Sequence, residues 1–508
     1  MNVDETVLGE HNLSLLAEAH LQATGSDVPS LWYEGTWYTR GELHTRASRV
    51  AGGLRELGVA PGDRVVVLMM NAPEVFISYN AIWRAGAVVT PVLFLISPPE
   101  LRHILTHSEA KAAVVTPETL PLVRAASEGL DLTVIVVGDA PEGTVAYSTL
   151  DNAEPTPIVP RGDDDLAALL YTGGTTGRSK GVMLTHKGLW MAGAGLYAGR
   201  DASITRTIQP LPLSHAFGLV VTIAGMHGTE QNTFNVLLRW FDAASWVRLV
   251  EEHRIQASAV VPSMLTMLLQ QPLEEHDLSS LRSFGSGAAP LPMALRQQVR
   301  ERLGVEIYEG YGLTESSAGL TANRIETNRP GSVGRAIPGV EVAILDLDGK
   351  PVPPGTDGEI CARGPGIMKG YWKDEEQTAQ TLRDGWLHTG DVGRLDEEGY
   401  LYIVDRMKDL IIRGGFNVYP RDVEDALLEH PDIIQAAVVG RPDDESGEEV
   451  VAVVAVRPGS TVTGEEIVAW ASERLAKYKY PREVRVLDAV PLTSVGKTDR
   501  KAVRTLFA

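Results

Sequence analysis

The stretch RVVVLMMNAPEVFISYNAIWRAGAVVTPV, residues 64–92, sets the pattern of the first half of the chain. Its first seven residues, RVVVLMM, predict a buried strand. Asn71, Pro73 and Glu74 then supply side chains typical of a helix start. We expect that helix to end near Gly86, before the apolar run VVTPV. Two apolar strands joined by a helix indicate a parallel sheet covered by helices.

The same alternation continues along the chain. Residues 97–100, SPPE, match a capping box with proline at the first helical position. Apolar runs predict strands at 112–115, 132–137 and 256–261, and a helix is expected to start near Pro262. The predicted class is therefore α/β, with a large N-terminal domain built from parallel, αβ-layered subdomains.

The character of the sequence changes after about Asn328. Residues 331–366 are rich in glycine, proline and short β-prone runs, which predicts an antiparallel or β-barrel-like subdomain. Residues 391–406 predict two further strands joined by the turn DEEG. The last hundred or so residues predict a small α+β domain. Its expected helices and strands are helices 422–429 and 465–477 and strands 436–439, 450–456 and 484–487.

Composition excludes several classes of protein. The chain has 508 residues, 44% of them hydrophobic, so it is long enough for several domains with ordinary cores. A net charge of −20 argues against a general nucleic-acid binder. The single cysteine, Cys361, rules out an intramolecular disulfide framework and fits a reducing compartment. The N-terminus lacks a signal-peptide pattern, and no apolar run approaches the roughly 20 residues of a membrane span. We therefore expect a soluble cytoplasmic protein without a transmembrane segment.

The glycine-rich stretch YTGGTTGRSKG, residues 171–181, follows the apolar run LAALL. It does not fit the P-loop pattern G-x-x-x-x-G-K-[ST], because Arg178 follows Gly177. Residues 177–181 do match the G-x-S-x-G elbow of serine hydrolases, but the residues after Gly181 suit a strand better than a helix. A flexible loop between two strands, holding phosphate oxygens with backbone N–H groups, hydroxyls and Lys180, is the third interpretation. A plain surface turn is the fourth.

With the residues that follow it, YTGGTTGRSKGVMLTH resembles the signature loop of the adenylate-forming superfamily, which includes acyl-CoA synthetases, luciferases and peptide-synthetase adenylation domains. This copy has Gly173 where serine is usual and Ser179 where proline is usual. Further motifs with the family's order are PLSHAFG (212–218), GSGAAPL (285–291), YEGYGLTE (308–315), GWLHTGDVG (385–393), DRMKDLIIRGGFNVYP (405–420) and PLTSVGKTDR (491–500). The resemblance spans roughly residues 30–504.

The resemblance implies a role for each matching position. Tyr311 would stack on adenine, Thr314 would contact the α-phosphate, and Asp391 would accept the ribose hydroxyls. Glu315 would bind Mg²⁺. The implied catalytic residues are Lys497, Glu315, Thr175 and Lys180. The implied nucleotide-binding residues are Thr172, Gly173, Gly174, Thr176, Gly177, Gly287, Ala288, Ala289, Glu309, Gly310, Tyr311, Gly312, Thr314, Asp391, Ile403 and Arg406. The implied acyl-pocket residues are His215, Phe217, Gly218, Val261, Met264 and Gly285.

The resemblance also implies a division of the chain: an N-terminal domain at residues 1–404, a hinge at 405–409 and a mobile C-terminal domain at 410–508. The hinge residue would be Lys408, and Gly414 and Gly415 would line a channel for a thiol. Lys477, Lys479 and Arg482 would either meet the phosphates of coenzyme A or form a solvated face. Asp242, in RWFDAASW, echoes a peptide-synthetase motif but lies too far from Lys180, so it is expected to start a helix.

The implied reaction joins a carboxylate to ATP, giving an acyl-adenylate and pyrophosphate, and then transfers the acyl group to a thiol. The expected cosubstrates and cofactor are ATP, coenzyme A and Mg²⁺. No charged partner for a substrate amine is evident, so a fatty or other apolar acid is expected, with aryl acids as an alternative. A ligase that loads an acyl carrier protein, a luciferase-like oxygenase and, outside the superfamily, a serine hydrolase are the other functions considered.

Overall fold

The structure is a computed structural model that describes residues 10–172, 179–346, 348–443, 445–493 and 498–507. Short 3-10 turns lie at Leu273–Glu275, Thr314–Ser316, Ile325–Thr327 and Met407–Asp409. The α-helices are α1 Leu13–Thr24, α2 Arg40–Glu56, α3 Pro73–Arg84, α4 Pro98–Ser108, α5 Leu120–Ala126, α6 Tyr147–Asp151, α7 His186–Tyr197, α8 Ala216–Met226, α9 Ala243–His253, α10 Pro262–Leu268, α11 Met293–Leu303, α12 Glu375–Thr381, α13 Pro420–Leu428, α14 Gly464–Ser472 and α15 Arg500–Leu506.

The strands alternate with these helices in the first half and dominate after it. They are β1 Pro29–Tyr33, β2 Thr36–Thr39, β3 Arg64–Leu68, β4 Val88–Pro91, β5 Ala110–Val115, β6 Thr133–Val136, β7 Val145–Ala146, β8 Leu166–Thr172, β9 Lys180–Thr185, β10 Arg206–Gln209, β11 Phe234–Leu237, β12 Ala257–Val260, β13 Ser283–Ser286, β14 Glu306–Tyr311, β15 Thr321–Ala322, β16 Arg335–Ala336, β17 Glu341–Leu345, β18 Gly358–Arg363, β19 Leu382–Arg383, β20 Trp386–Leu395, β21 Leu401–Arg406, β22 Ile411–Arg413, β23 Phe416–Val418, β24 Ile433–Asp443, β25 Gly447–Val456 and β26 Glu483–Leu487.

Within the described ranges the strands form four sheets. One has the order β7-β6-β5-β3-β4-β8-β9 and is parallel up to β8, and the antiparallel β9 closes its edge. The second has the order β16-β15-β14-β13-β12-β10-β11-β1-β2, with a parallel centre from β14 to β1. The mixed α/β class predicted from the alternating pattern is therefore confirmed.

The β-rich segment after residue 328 forms the third sheet, an antiparallel arrangement of β17, β18, β20, β19 and β21. The fourth sheet, β23-β22-β25-β24 with β26 beside β25, belongs to the C-terminal unit and packs against α13, α14 and α15. The Met407–Asp409 turn joins the third sheet to the fourth. This layout matches the expected large N-terminal part and small C-terminal α+β part.

Asn71 is a correction to the sequence prediction. It does not cap α3, whose N-cap is Ala72, without a side-chain bond. Its buried amide instead donates to the carbonyls of Leu211 (2.9 Å) and Leu238 (3.0 Å) and accepts from the N–H of Leu213 (2.9 Å). Asn71 thus connects the end of β3 to the loops after β10 and β11, and fixes the two parallel sheets against each other.

Of two other predicted helix caps, one is absent from the structure and one is present. Ser97 does precede α4, but it makes no side-chain capping bond, so the predicted capping box is wrong; the proline at the start of the helix remains. Asp242 does cap α9, because its carboxylate accepts from the N–H of Ser245 at 2.7 Å. Among the described residues, the structure contains no helix with the length and apolar composition needed to cross a membrane.

His186 gives the fold a specific sensitivity to acid. It begins α7 and is fully buried, and its Nδ1 accepts from the N–H of Leu13 at 3.3 Å. Burial, reinforced by the charge of Arg161, lowers the pKa of His186 to about 3. Since the unfolded chain binds this proton near pH 6.5, stability is lost as the pH falls from about 6.5 towards 3.

We therefore expect the free energy of unfolding to fall by about 2 kcal/mol through this group alone between pH 7.5 and pH 5. His186→Asn keeps an acceptor for the N–H of Leu13 but cannot titrate. Urea unfolding of both proteins at the two pH values measures the difference. Equal pH dependence in wild type and variant would contradict this assignment.

Candidate active site

A cavity of about 2180 Å³ opens where the carboxyl ends of β4, β8, β13 and β14 meet the third sheet and the C-terminal unit. Ligands of open α/β sheets bind at this end of the strands, because the strand-to-helix loops there present backbone and side-chain groups. Residues from the C-terminal unit, including Leu492, Thr493 and Thr498, line the same cavity. The cavity is therefore built from both parts of the chain.

The glycine-rich loop connects β8 to β9. These strands pair antiparallel, with Thr172 opposite Lys180, and both residues line the cavity. The chain from Lys180 onward is thus a strand, as expected, whereas a hydrolase elbow leads into a helix. The predicted phosphate-contacting residues Gly173, Gly174, Thr175, Thr176 and Gly177 lie outside the described residues.

Lys180 and Glu315 are connected through Tyr371. The ammonium of Lys180 lies 5.0 Å from the centre of the Tyr371 ring and donates to Gln377. The hydroxyl of Tyr371 donates to Oε1 of Glu315 at 2.9 Å. Burial, followed by the charge of Glu315, raises the pKa of Tyr371, which keeps its hydroxyl a donor at neutral pH. One cation and one carboxylate are therefore held on the same wall of the cavity.

Asp391 is held by two partners. Its Oδ2 accepts from the hydroxyl of Tyr311 at 2.6 Å, and its Oδ1 lies 3.2 Å from Nε of Arg406. Burial and the charge of Asp391 raise the pKa of Tyr311 well above its usual value. The register of β20 with β21 places Asp391 directly opposite Arg406. Ile403, on the same strand as Arg406, also lines the cavity. The carboxylate and the Tyr311 ring are thus close enough to contact one small ligand.

The loop after β13 and the end of β14 form the wall beside Asp391. Gly287, Ala288 and Ala289 line it, and Ala288 has a positive φ of 66°. Gly310, Gly312 and Thr314 follow on β14 and the turn after it. A side chain at Gly312 would lie 2.4 Å from the backbone of Ala318, so only glycine fits that position.

Glu309 also lies on the cavity wall, but its carboxylate is paired with an arginine of α11. It accepts from Arg296 of α11 at 2.7 Å, and both side chains are buried. Burial raises the pKa of Glu309, and the guanidinium of Arg296 opposes that shift. The structure thus places the Glu309 side chain in an internal ion pair.

The predicted acyl-pocket residues divide into two groups. His215, Phe217 and Gly285 line the cavity; His215 caps α8, and its Nδ1 accepts from the N–H of Phe217 at 3.2 Å. Gly218, Val261 and Met264 are not among the described lining residues. Added bulk at Gly218 would lie 2.1 Å from the carbonyl oxygen of Pro212. Met264 is buried in the core, and the partly buried Val261 packs against that core. Helix α10 and the residues just after it instead contribute Ser263, Thr266, Leu269 and Gln270 to the cavity.

The predicted hinge residue Lys408 lies in the Met407–Asp409 turn and lines the cavity. Burial, then the charge of Arg406, lowers its pKa. The neighbouring Asp409 is buried, accepts from Arg504 at 2.9 Å and lies 3.7 Å from Nε of Arg500. Two arginines at the start and end of α15 therefore hold the turn in the observed conformation.

The predicted thiol-channel glycines lie away from the cavity. Gly414 and Gly415 form the exposed two-residue turn between β22 and β23, with φ of 56° and 81°. Of the basic residues proposed for coenzyme A, Lys479 pairs with Asp422 at 2.8 Å. The guanidinium of Arg482 lies 3.6 Å from the centre of the Tyr480 ring. In this conformation the side chains of Lys479 and Arg482 are partly buried and paired within the C-terminal unit, so they match neither a solvated face nor a contact with coenzyme A, and the coenzyme A role stays a prediction.

Lys497 lies outside the described residues. The residues on both sides of the gap line the cavity, and Leu492 pairs with Thr498. Sequence reasoning missed Tyr371 and Gln377, although the motif GYW at 370–372 was available as a signal. It identified Asp391, Glu315, Lys180 and Arg406, whose side chains the structure brings to one cavity.

Comparison with known proteins finds matches over most of the chain. The model of a family described as AMP-binding enzyme matches residues 17–372, and that of the AMP-binding enzyme C-terminal domain matches residues 422–497. The chain belongs to the AMP-binding enzyme family. The resemblance to adenylate-forming enzymes predicted from the sequence motifs is thereby confirmed, and with it the prediction that the chain is an enzyme.

Individual relatives of this AMP-binding enzyme cover nearly its full length. A feruloyl-CoA synthase of an Amycolatopsis species is 40% identical over 480 residues, 93% of this chain and 94% of the relative. A long-chain-fatty-acid–CoA ligase of Bacillus subtilis strain 168 is 34% identical over 512 residues, 94% and 91% of the two chains. The crystal structure of ATP-bound MatB from Rhodopseudomonas palustris has a TM-score of 0.90 at 33% identity and covers 98% and 99% of the two chains.

Proposed function

We propose that this AMP-binding enzyme activates a carboxylic acid with ATP, forms an acyl-adenylate and pyrophosphate, and transfers the acyl group to coenzyme A. The observation that carries the proposal is the single cavity that combines Lys180, Glu315 and Asp391 with an uncharged wall around Phe217. The three charged side chains can bind a nucleotide and its metal ion, and the uncharged wall can contact an apolar acid. The names of the relatives, which are CoA synthases and ligases, support the same reaction.

The chain's own residues address the main obstacle, which is the repulsion between a carboxylate and the α-phosphate. Lys180 supplies a cation beside the loop, and the motif around Lys497 is proposed to supply the second. No general base is needed, because a carboxylic acid is already ionised at pH 7. Preorganised charges of this kind contribute about 10²–10³ in rate each.

Asp391 is proposed to accept the ribose hydroxyls. Both of its oxygens are engaged in this conformation, one by Tyr311 and one by Arg406. The Arg406 side chain is half exposed, so a ribose can displace it from Asp391. Tyr311 would remain bound to Asp391 and keep its ring fixed against the nucleotide base.

Glu315 fits a divalent cation of the Mg²⁺ type. Carboxylate oxygens are the ligands that Mg²⁺ prefers, and Glu315 lies on the cavity wall with its carboxylate oriented by Tyr371. Bound Mg²⁺ would neutralise phosphate charge. We therefore propose Glu315 as the metal ligand and Tyr371 as the residue that positions it.

Tyr371→Phe tests that positioning role. The change removes only the hydroxyl that donates to Glu315 and leaves the ring beside Lys180 in place. Hydrogen bonds to charged groups contribute about 1.5–3 kcal/mol, so we expect acid-dependent ATP–pyrophosphate exchange to slow by about tenfold. The Mg²⁺ concentration for half-maximal exchange should rise as well. Tyr402→Phe, which removes a hydroxyl 3.2 Å from Asp396, is the matched control; equal effects of the two changes would contradict the role.

The acid is proposed to have an apolar body, a ring with a hydroxyl group and no amine. The cavity wall on α10 and just beyond it carries Ser263, Thr266 and Gln270 beside Leu269. The hydroxyl of Thr266 donates to the carbonyl of Pro262 at 3.2 Å, and its oxygen can still accept a hydrogen bond from a ring hydroxyl of the acid, which a straight alkyl chain does not offer. A fatty acid, the first expectation from the sequence, is the second candidate, and the Bacillus relative is the observation in its favour.

ATP–pyrophosphate exchange with a panel of acids tests the function. We expect exchange with hydroxycinnamic and benzoic acids, less with straight-chain fatty acids, and none with α-amino acids or without an acid. Product analysis with coenzyme A should then show the thioester and AMP. Absence of exchange with every acid would contradict the proposal, and ester hydrolysis without ATP would indicate the hydrolase alternative.

Coenzyme A is proposed as the acceptor in preference to an acyl carrier protein. The relatives described above are named for coenzyme A, and none of the observations described here supports a carrier protein. Adding apo and holo carrier protein to the product assay separates the two acceptors. A cytoplasmic location is also proposed, since a single buried thiol fits a reducing compartment.

A further inference from the structure

Three side chains with metal-binding atoms meet on one face of the third sheet. Glu359 and Cys361 are two residues apart on β18 and point to the same face, and His388 on β20 pairs directly with Cys361. Their ligand atoms all lie within 4.8 Å of one another. Nδ1 of His388 lies 2.7 Å from Oε2 of Glu359 and 3.4 Å from Sγ of Cys361. We call these residues the Glu359–Cys361–His388 cluster.

The spacing of these atoms is close to that of a tetrahedral metal site. Zn–N and Zn–S bonds of about 2.0 and 2.3 Å place ligand atoms roughly 3.3–3.7 Å apart. The nitrogen-to-sulfur distance already has this value. The nitrogen-to-oxygen distance is that of a hydrogen bond and would widen by about half an ångström when an ion replaces the shared proton.

The ligand atoms of the cluster determine which kind of cation it can bind. A thiolate and an imidazole favour Zn²⁺ and similar thiophilic ions, whereas Mg²⁺ prefers oxygen ligands only. Burial raises the pKa of Cys361 to about 12, so the group is a thiol when no ion is bound. A coordinating ion deprotonates such a thiol, and the proton passes to solvent.

The surroundings of the cluster allow access from one side. Cys361 is fully buried, while Glu359 and His388 line the cavity. Oε1 of Glu359 accepts from the N–H of Gly390 at 3.1 Å, which leaves Oε2 as the oxygen that faces His388. Arg383 lies 3.6 Å from Oε2, but its side chain is half exposed and can turn into solvent. A fourth ligand, water or solute, would come from the cavity.

We propose that the Glu359–Cys361–His388 cluster is a binding site for Zn²⁺ or a similar thiophilic divalent cation, at the edge of the nucleotide cavity. The site is distinct from the Mg²⁺ position proposed at Glu315, because its ligands and its preferred metal differ. It does not depend on the identity of the acid or of the acceptor.

Titration of the full-length enzyme with Co²⁺ tests the proposal directly, without ATP or Mg²⁺. Cobalt bound to a thiolate shows a sulfur-to-metal charge-transfer absorption, and Cys361 is the single cysteine of the chain, so the band can arise from no other residue. We expect one Co²⁺ per chain with this band, and its disappearance on addition of Zn²⁺. Absence of the band at saturating Co²⁺ would overturn the proposal.

Variants separate the cluster from other histidine–carboxylate pairs. Cys361→Ser should lose the band, and His388→Asn should weaken Zn²⁺ binding by at least tenfold. His276 forms a surface pair with Glu251, also at 2.7 Å, but that pair lacks a thiol. His276→Asn should therefore leave Zn²⁺ binding unchanged. Equal Zn²⁺ affinity in His388→Asn and His276→Asn would overturn the proposal, and the wild-type spectrum decides it even if Cys361→Ser fails to fold.

Discussion

Replacement of Lys497 by alanine is expected to slow acyl-adenylate formation by at least about 10²–10³-fold. The attacking carboxylate and the α-phosphate are both anionic, and the proposed role of this lysine is to bridge them. Conversion of supplied acyl-adenylate and coenzyme A to the thioester should proceed at nearly the wild-type rate, because the acid is already joined to the phosphate and a carboxylate no longer has to approach it. Pyrophosphate exchange and thioester formation from synthetic acyl-adenylate measure the two steps separately.

Lys350→Ala is the control for loss of one positive charge, since Lys350 is exposed and distant in sequence from the motif. It should change neither step. Equal loss of both steps in Lys497→Ala would contradict the bridging role and would indicate a general effect on the C-terminal domain.

Lys408→Pro is expected to slow thioester formation by about tenfold or more and to change pyrophosphate exchange much less. Proline fits the observed 3-10 turn, because its fixed φ near −65° is that of a 3-10 helix. The same restriction opposes the rotation by which the C-terminal domain would admit a thiol. Asp409 is paired with the two arginines of α15 and would move with the C-terminal domain, so the rotation falls on the residues before it, Lys408 among them.

Lys408→Ala separates the backbone restriction from the loss of charge. It removes the ammonium but leaves φ free, so we expect a smaller effect on thioester formation than in Lys408→Pro. If Lys408→Pro slows the two half-reactions equally, the hinge at residues 405–409 is wrong.

The parts of the fold that sequence could predict are those set by local patterns. The alternation of apolar strands and helices predicted the parallel sheets. The composition of the loop at 171–181 predicted a connection between two strands, which β8 and β9 provide. Asp242 was correctly predicted to start a helix, because its side chain reaches a backbone N–H three residues away.

The predictions that failed depended on distant contacts. Asn71 has the side chain of a helix cap, but three backbone groups near residues 211–238 bind it more completely than one helix end could. Met264 was assigned to the acyl pocket because the family resemblance implies it. On helix α10 the side chain of Met264 lies in the core, and Ser263 and Thr266 line the cavity. Tertiary packing determines which face of this helix lines the cavity, and the local sequence does not.

Functional residues that belong to a sequence motif could be predicted. Those that a distant part of the chain brings to the site could not. Asp391, Glu315 and Lys180 belong to recognisable motifs. Tyr371 contacts Lys180 and Glu315, which are 191 and 56 positions away in sequence, so its position between them required the folded chain. The Glu359–Cys361–His388 cluster likewise depends on the register of β18 with β20.

Transfer of oxygen-18 from a labelled carboxylic acid tests the central claim most directly. If the carboxylate attacks the α-phosphate, one labelled oxygen must leave with AMP when the thiol displaces it. Mass spectrometry of the nucleotide product from wild-type enzyme, ATP, coenzyme A and doubly labelled acid should therefore show AMP carrying one oxygen-18. Unlabelled AMP, or label found in orthophosphate, would contradict the acyl-adenylate route.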